Sequence, residues 1–146
     1  MSLTVIFATR GRPEDLNKTV EETIRNVQLP DTKILVCADA DDETNAKLNV
    51  PSNCILSIKK REDSRGEKYD RALTEAPADL YMVTHDCAPI LTPGFDQITL
   101  DKAALFPDGI GVVRSPFLGR GTFPPASQAM TAKWVEKIGY IYSHEY

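Results

Sequence analysis

Leu3-Thr4-Val5-Ile6-Phe7-Ala8-Thr9-Arg10-Gly11-Arg12-Pro13 is the stretch that decides how the rest of the chain is read. Leu3 to Ala8 is a β-branched, apolar run without polar alternation, which describes a strand covered on both faces. Thr9 to Arg12 then turn small and cationic. Pro13 suits the first position of a helix, and Glu14 and Asp15 sit at the positive end of its dipole. Leu16, Val20, Ile24 and Val27 carry that helix on at steps of four, four and three, so one apolar stripe faces inward, and Leu29-Pro30-Asp31 ends it.

The same alternation continues outward. Lys33 to Ala38 is a second buried strand, followed by the acidic turn Asp39-Ala40-Asp41-Asp42-Glu43-Thr44. Cys54 to Ile58 is a third. The charged stretch Lys59 to Asp70 leads into a helix whose inner face is Tyr69, Ala72, Leu73 and Ala76. Leu80 to Thr84 is a fourth strand that runs into His85-Asp86-Cys87. A helix over Phe95 to Phe106 and a strand over Ile110 to Val113 follow, and Met130, Trp134, Val135 and Ile138 mark a last helix before Tyr140-Ile141-Tyr142. At that spacing Trp134 is core. Strands alternating with crossover helices predict an α/β fold: residues 1–146 as a single three-layer domain with a mostly parallel sheet. From Arg114 to Gln128 the pattern lapses into Pro116, Gly119, Gly121, Pro124 and Pro125, as expected of a flap over a site.

Composition narrows the function. The 146 residues are 42% hydrophobic, and 17 basic against 21 acidic side chains leave a net charge of -4. The chain is large enough for one core, and no apolar run spans a membrane. A mildly acidic chain argues against sequence-independent nucleic-acid binding, which needs a concentrated positive surface. Cys37, Cys54 and Cys87 are an odd, sparse set without C-x-x-C spacing, so reduced thiols and a cytoplasmic setting are expected instead of a disulfide framework or a structural zinc site.

In an open α/β sheet ligands bind beyond the carboxyl ends of the strands. Thr9 to Arg12, Asp39 to Asp42, Lys59 to Arg65 and His85-Asp86 lie there, so one edge mixes cations with carboxylates, a combination suited to a phosphate-bearing ligand with a divalent ion. No P-loop and no G-x-S-x-G elbow occur, and Gly109-Ile110-Gly111 is only a fragment of a dinucleotide fingerprint. Each residue also has a plainer reading. Asp39, Asp41, Asp42 and Glu43 could cap the next turn, Lys59-Lys60-Arg61 could be a solvated basic run, His85 could bond locally, and His144 could be surface.

Four motifs in order, Val-Ile-Phe-Ala-Thr-Arg-Gly-Arg-Pro at 5–13, Cys-Ala-Asp-Ala-Asp-Asp-Glu-Thr at 37–44, Arg-Gly-Glu-Lys-Tyr-Asp-Arg-Ala at 65–72 and Leu-Tyr-Met-Val-Thr-His-Asp at 80–86, resemble the nucleotide-sugar-binding half of GT-A-fold glycosyltransferases of the large inverting "family two" group. Pro93-Gly94-Phe95 and Ile138-Gly139-Tyr140 look similar, and the resemblance covers residues 3 to 145. It implies sugar transfer from a nucleoside-diphosphate sugar, UDP-linked among the possibilities, to an acceptor hydroxyl. Carried over by position, it implies a nucleotide pocket of Thr9, Arg10 and Arg12, with Asp39 on the base, Asp41 or Asp42 as substitutes, and Arg65 and Lys68 at the diphosphate.

The resemblance further implies Mn2+ or Mg2+ held by a D-x-D motif. That motif reads Asp86-Cys87-Ala88, so Asp86 stands without its second carboxylate and His144 is the substitute ligand. The family's catalytic base is unassigned; Glu145 and Asp96 are the carboxylates to consider. An incomplete nucleotide-sugar-binding module needing a partner is the alternative, and a homodimer is an open expectation. A nucleotidyltransferase is disfavoured because Thr9 to Arg12 poorly approximates the glycine-rich loop such enzymes use.

Overall fold

The structure is a computed structural model that describes residues 1–114 and 127–144. Strands β1 (Leu3–Ala8), β2 (Lys33–Asp39), β3 (Ile55–Lys59) and β4 (Leu80–His85) lie parallel. Two antiparallel strands, β5 (Val112–Arg114) and β6 (Ser127–Thr131), complete a 6-stranded sheet in the order β3-β2-β1-β4-β6-β5. The helices are α1 (Pro13–Ile24), α2 (Arg65–Tyr69), α3 (Ala72–Glu75), α4 (Phe95–Ala103) and α5 (Ala132–Ile138), with a 3₁₀ turn at Glu43–Lys47.

The period of the strands sorts the core into two layers around the sheet. Leu3, Val5 and Phe7 pack with Leu16 and Val20 of α1 and Phe95 and Leu100 of α4. Ile6, one residue out of phase, joins Leu35, Tyr69, Ala72, Val135 and Ile141 in the other layer. A strand with both faces consumed in this way has to be apolar throughout, which is why β1 reads as it does. This is the expected α/β fold in three layers with a mostly parallel sheet.

Several element boundaries differ from the sequence reading, each for a local reason. The helix expected before β4 is two short ones. The first opens with a capping box, in which the Glu67 amide donates to Ser64 Oγ at 3.2 Å and the Glu67 carboxylate accepts the Ser64 amide. Between the two, Asp70 and Arg71 send their side chains to distant parts of the chain, so tertiary bonds set the join. Leu73 faces outward at 36% exposure, not inward with Tyr69, Ala72 and Ala76. α1 stops at Ile24, and Val27 packs on the core from the loop beyond it. Met130 belongs to β6, opposite Tyr81 and Val112, and α5 starts only at Ala132, where the Thr131 hydroxyl caps the Trp134 amide at 3.2 Å. Trp134 does pack, partly buried, on the second core layer. Of the expected flap, Arg114, Ser127 and Gln128 are strand residues; 115–126 lie outside the described residues, as does Glu145.

Asp96 is fully buried at the start of α4. Its carboxylate accepts the amides of Gln28 and Leu29 and the Thr32 hydroxyl at 2.8–3.1 Å, pinning the loop after α1 to α4. Burial opposes its charge, but the bonds from Leu29, Thr32, Gln28 and Gln97 together outweigh that and hold the carboxyl below its ordinary range. Asp96 is a structural anchor, not a base at the cavity described next.

Candidate functional site

β1, β2 and β4 end side by side, and the loops that follow them enclose a cavity of about 700 Å³ together with the loop and helix after β3. Its walls carry Thr9, Arg10 and Arg12 from the first loop, Asp39 from the end of β2, Arg61 to Arg65 and Lys68 with Tyr69, His85 to Cys87 from the end of β4, and Tyr142. The structure therefore brings together Thr9, Arg10, Arg12, Asp39, Arg65, Lys68 and Asp86 from four separate segments. Asp41 is not on the wall, but it holds Arg10 there through a two-pronged contact at 2.7 and 3.2 Å.

Asp39 is the electrostatic centre. It is only 1% exposed, yet three cations converge on it. Arg10 donates to Oδ2 at 3.1 Å, the Lys68 ammonium lies 2.7 Å from Oδ1, and the Arg71 guanidinium is 3.9 Å from Oδ1. The lysine contact is a charge contact whose angles do not make a hydrogen bond, so Oδ1 keeps acceptor capacity. A buried carboxylate in that state is costly unless charge surrounds it, and the three cations supply that charge. The pairing of Arg10 draws the exposed Asp41 carboxyl below its usual range.

Arg71 was not apparent from the sequence. It is buried at 5% exposure and locked on every side: two bonds of 2.6 Å to Glu62, one of 2.9 Å to the Ala38 carbonyl and one of 3.0 Å to the Ser57 carbonyl. It ties the ends of β2 and β3 to the loop carrying Glu62. Burial works against the Glu62 charge, but the Arg71 bonds prevail and hold that carboxyl low. The only hint in the sequence was an arginine beside the inner-face residue Ala72.

Two backbone features shape the rim. Gly11 adopts φ +70°, a left-handed conformation that glycine takes without strain, and donates its amide to Asp42 Oδ2 at 2.7 Å. The Thr44 hydroxyl and the Gly11 amide keep the Asp42 carboxyl below its ordinary range. Gly66 lets α2 approach the segment 142–143, since a Cβ there would collide with the carbonyl oxygens of Tyr142 and Ser143. That approach puts the Tyr142 ring edge-on to Tyr69, with centroids 5.7 Å apart. Burial pushes the Tyr69 phenol up to about 12.

At the end of β4 a tight turn closes from the Ala88 amide to the His85 carbonyl at 3.1 Å, with Asp86 and Cys87 at its tip. Asp86 Oδ2 accepts the Thr9 hydroxyl at 3.2 Å, and Oδ1 faces the Arg12 guanidinium at 3.6 Å. His85 is exposed on the rim. The expected partner His144 is not part of the wall; its Nε2 lies 2.6 Å from Asp70 Oδ2, and Asp70 also accepts the Ile141 amide at 2.8 Å. That pair fastens the segment carrying Tyr142 to the end of α2.

The turn offers a divalent ion one carboxylate, already bonded, then a thiol and an alanine. Among the described residues no three His, Cys, Asp or Glu side chains gather to hold a metal. These residues do not fit a protein-held Mn2+ or Mg2+, and the pairing of Asp86 with His144 expected from the sequence is not formed.

No protein-family model and no curated protein matches the sequence. Solved structures do match. A mannosyltransferase from Pyrobaculum calidifontis, solved with GDP-Man and Mn2+, superposes with TM-score 0.70 at 16% identity, covering 98% of this chain and 48% of its own. TarS 1-349 from S. aureus, solved with UDP, gives TM-score 0.62 at 17% identity over 96% of this chain and 50% of its own. The fold is that of nucleotide-diphospho-sugar transferases. It extends beyond glycosyl transfer, since a 4-diphosphocytidyl-2C-methyl-D-erythritol synthase from Anaerococcus prevotii matches at TM-score 0.62, 11% identity, 99% of this chain and 78% of its own. The chain spans about half the length of the mannosyltransferase and TarS chains. Among the described residues no helix is long and apolar enough to cross a membrane. Cys37, Cys54 and Cys87 are free thiols, and burial pushes the first up to about 12 and the second up to about 11.

Proposed function

We propose that the cavity binds a nucleoside-diphosphate sugar and that the chain is the donor-binding unit of a glycosyltransferase, as its resemblance to the inverting "family two" group implies. One observation carries the reading. Asp39 is a nearly fully buried carboxylate on the wall of a cavity rich in arginine and lysine, held among three cations and with one oxygen that accepts no hydrogen bond. A carboxylate of this kind accepts an N–H of a nucleobase, and the cations beyond it take the diphosphate.

The order of charges favours one base. Arg10 and Lys68 flank Asp39 on opposite oxygens, so the wall presents donor, acceptor, donor. Uracil and thymine present the complement, with O2, N3–H and O4 in sequence, whereas guanine and cytosine present other orders. Of the two, UDP is the nucleotide that TarS, a neighbour in fold, was solved with, and it is the one expected. In transfer, a bond forms from the acceptor oxygen to the anomeric carbon as its hydroxyl proton passes to a general base, here unassigned, while the bond to the β-phosphate oxygen breaks and negative charge grows on the departing diphosphate. Fixed cations at that position stabilise it without reorganising.

A second reading, donor binding without turnover, is favoured by Asp86 being engaged by Thr9 and Arg12 and by Asp96 being spent on structure. Thermal unfolding with UDP, GDP, CDP and dTDP tests the shared premise, because a ligand of the native state raises Tm by mass action. A Tm rise largest with UDP is expected; no rise with any of the four contradicts donor binding. Release of UDP from a UDP-sugar by the chain then separates transferase from binding module.

A further inference from the structure

We infer that the nucleoside diphosphate is neutralised in this cavity by the protein's own guanidinium groups, with Arg12 standing over the turn where the resemblance places a divalent ion. The inference rests on the nucleotide-binding reading above and adds how the diphosphate is held. Its basis is the arrangement at the end of β4. Arg12 NH1 lies 3.6 Å from Asp86 Oδ1 and 4.0 Å from Cys87 Sγ, so one guanidinium spans both side chains of the turn. The second carboxylate that an ion would need is replaced by Ala88, and the thiol between the two positions lies beside Arg12.

Asp86 is placed to orient a cation. Its Oδ2 is fixed by the Thr9 hydroxyl, its Oδ1 faces Arg12, and its side chain is only 12% exposed. Arg12 itself remains 58% exposed, on the cavity wall, with donors left over for a ligand. Arg61 and Arg65 add two exposed cations to the cavity wall, neither within ion-pair distance of a carboxylate among the described residues. Lys68 and Arg10 are by contrast committed to Asp39. The cavity thus has two cationic sets, one at Asp39 for the base and one at Arg12, Arg61 and Arg65 for the diphosphate. Guanidinium forks match phosphate oxygens in pairs and stay charged at any working pH.

The test is calorimetric titration of the chain with UDP, GDP, CDP and dTDP, each in EDTA and in Mn2+, followed by the tightest binder against Arg12→Ala. Arg25→Ala, at the exposed end of α1, serves as a charge control. Arg12 is exposed, so its loss leaves the core untouched. The expected result is one affinity in EDTA and Mn2+ within about twofold, lowered about tenfold by Arg12→Ala and not by Arg25→Ala, and falling as salt rises. Binding that requires Mn2+ overturns the inference and leaves the nucleotide-binding reading standing. Binding in EDTA that Arg12→Ala does not weaken overturns the role of Arg12. No binding of any nucleotide in either condition overturns both.

Discussion

Asp39 and Asp96 are both buried aspartates, one at the carboxyl edge of the sheet and one under the junction of α1 with α4, and they are treated in opposite ways. Asp96 is saturated with neutral donors, from three residues of one loop and from Gln97 of its own helix, and gains its ionised state from hydrogen bonds alone. Asp39 is surrounded by three charges from two separate segments and keeps an acceptor without a directed partner. The difference separates a carboxylate that closes a structure from the one proposed to meet a ligand. Neither burial nor residue type distinguishes them; the completeness of the donor set does.

The largest effect expected from breaking this contrast is on stability. Asp96→Ala leaves buried amides unpaired and should cost about 3 kcal/mol, lowering Tm on the order of 10 °C while UDP affinity stays within error. Loss of UDP binding in that variant, at a temperature where it is folded, would remove the distinction. Asp39→Asn should cost stability as well, because the nearly buried Lys68 ammonium loses its counter-charge, but unlike the change at Asp96 it should also cost affinity. Replacing the acceptor by an amide weakens UDP about 30-fold in calorimetry, a larger change than its effect on folding would produce at the same temperature.

Acid sharpens the comparison further. The Asp96 carboxyl is depressed below its ordinary 3.8, so its contribution is complete above that pH and disappears as pH falls through the depressed value. Denaturant midpoints measured from pH 5 down to pH 2 should fall less steeply for Asp96→Asn than for the parent chain. The smallest effect belongs to Asp41, which is exposed and reaches the site only by steadying Arg10. Asp41→Ala should change UDP affinity by about threefold or less, and a larger loss in calorimetry would make Asp41 a direct ligand contact.

How much of this was legible in the sequence follows from which forces leave a local trace. The four parallel strands were readable because strands buried on both faces must be apolar without interruption, as Leu3 to Ala8 and Lys33 to Ala38 are. The cavity residues were readable because the carboxyl ends of those strands are where an α/β sheet exposes its loops. β6 was not, since Ser127-Gln128-Ala129-Met130-Thr131 has little β-branching and owes its state to pairing with β4. Arg71 was invisible for a similar reason, because its partners Glu62, Ala38 and Ser57 are distant in the chain. His144 reads as a spare metal ligand in sequence and turns out to pair with Asp70, a contact across 74 positions that no spacing rule anticipates.

The most direct test of the central claim is a titration of the 15N-labelled chain with UDP, followed by amide chemical shifts. The account predicts changes confined to Thr9 to Arg12, Asp39, Arg61 to Tyr69 and His85 to Cys87, with the amides of Gln28 and Leu29 at Asp96 unmoved. Shifts centred on the α1–α4 junction, or no shifts at millimolar UDP, would contradict it.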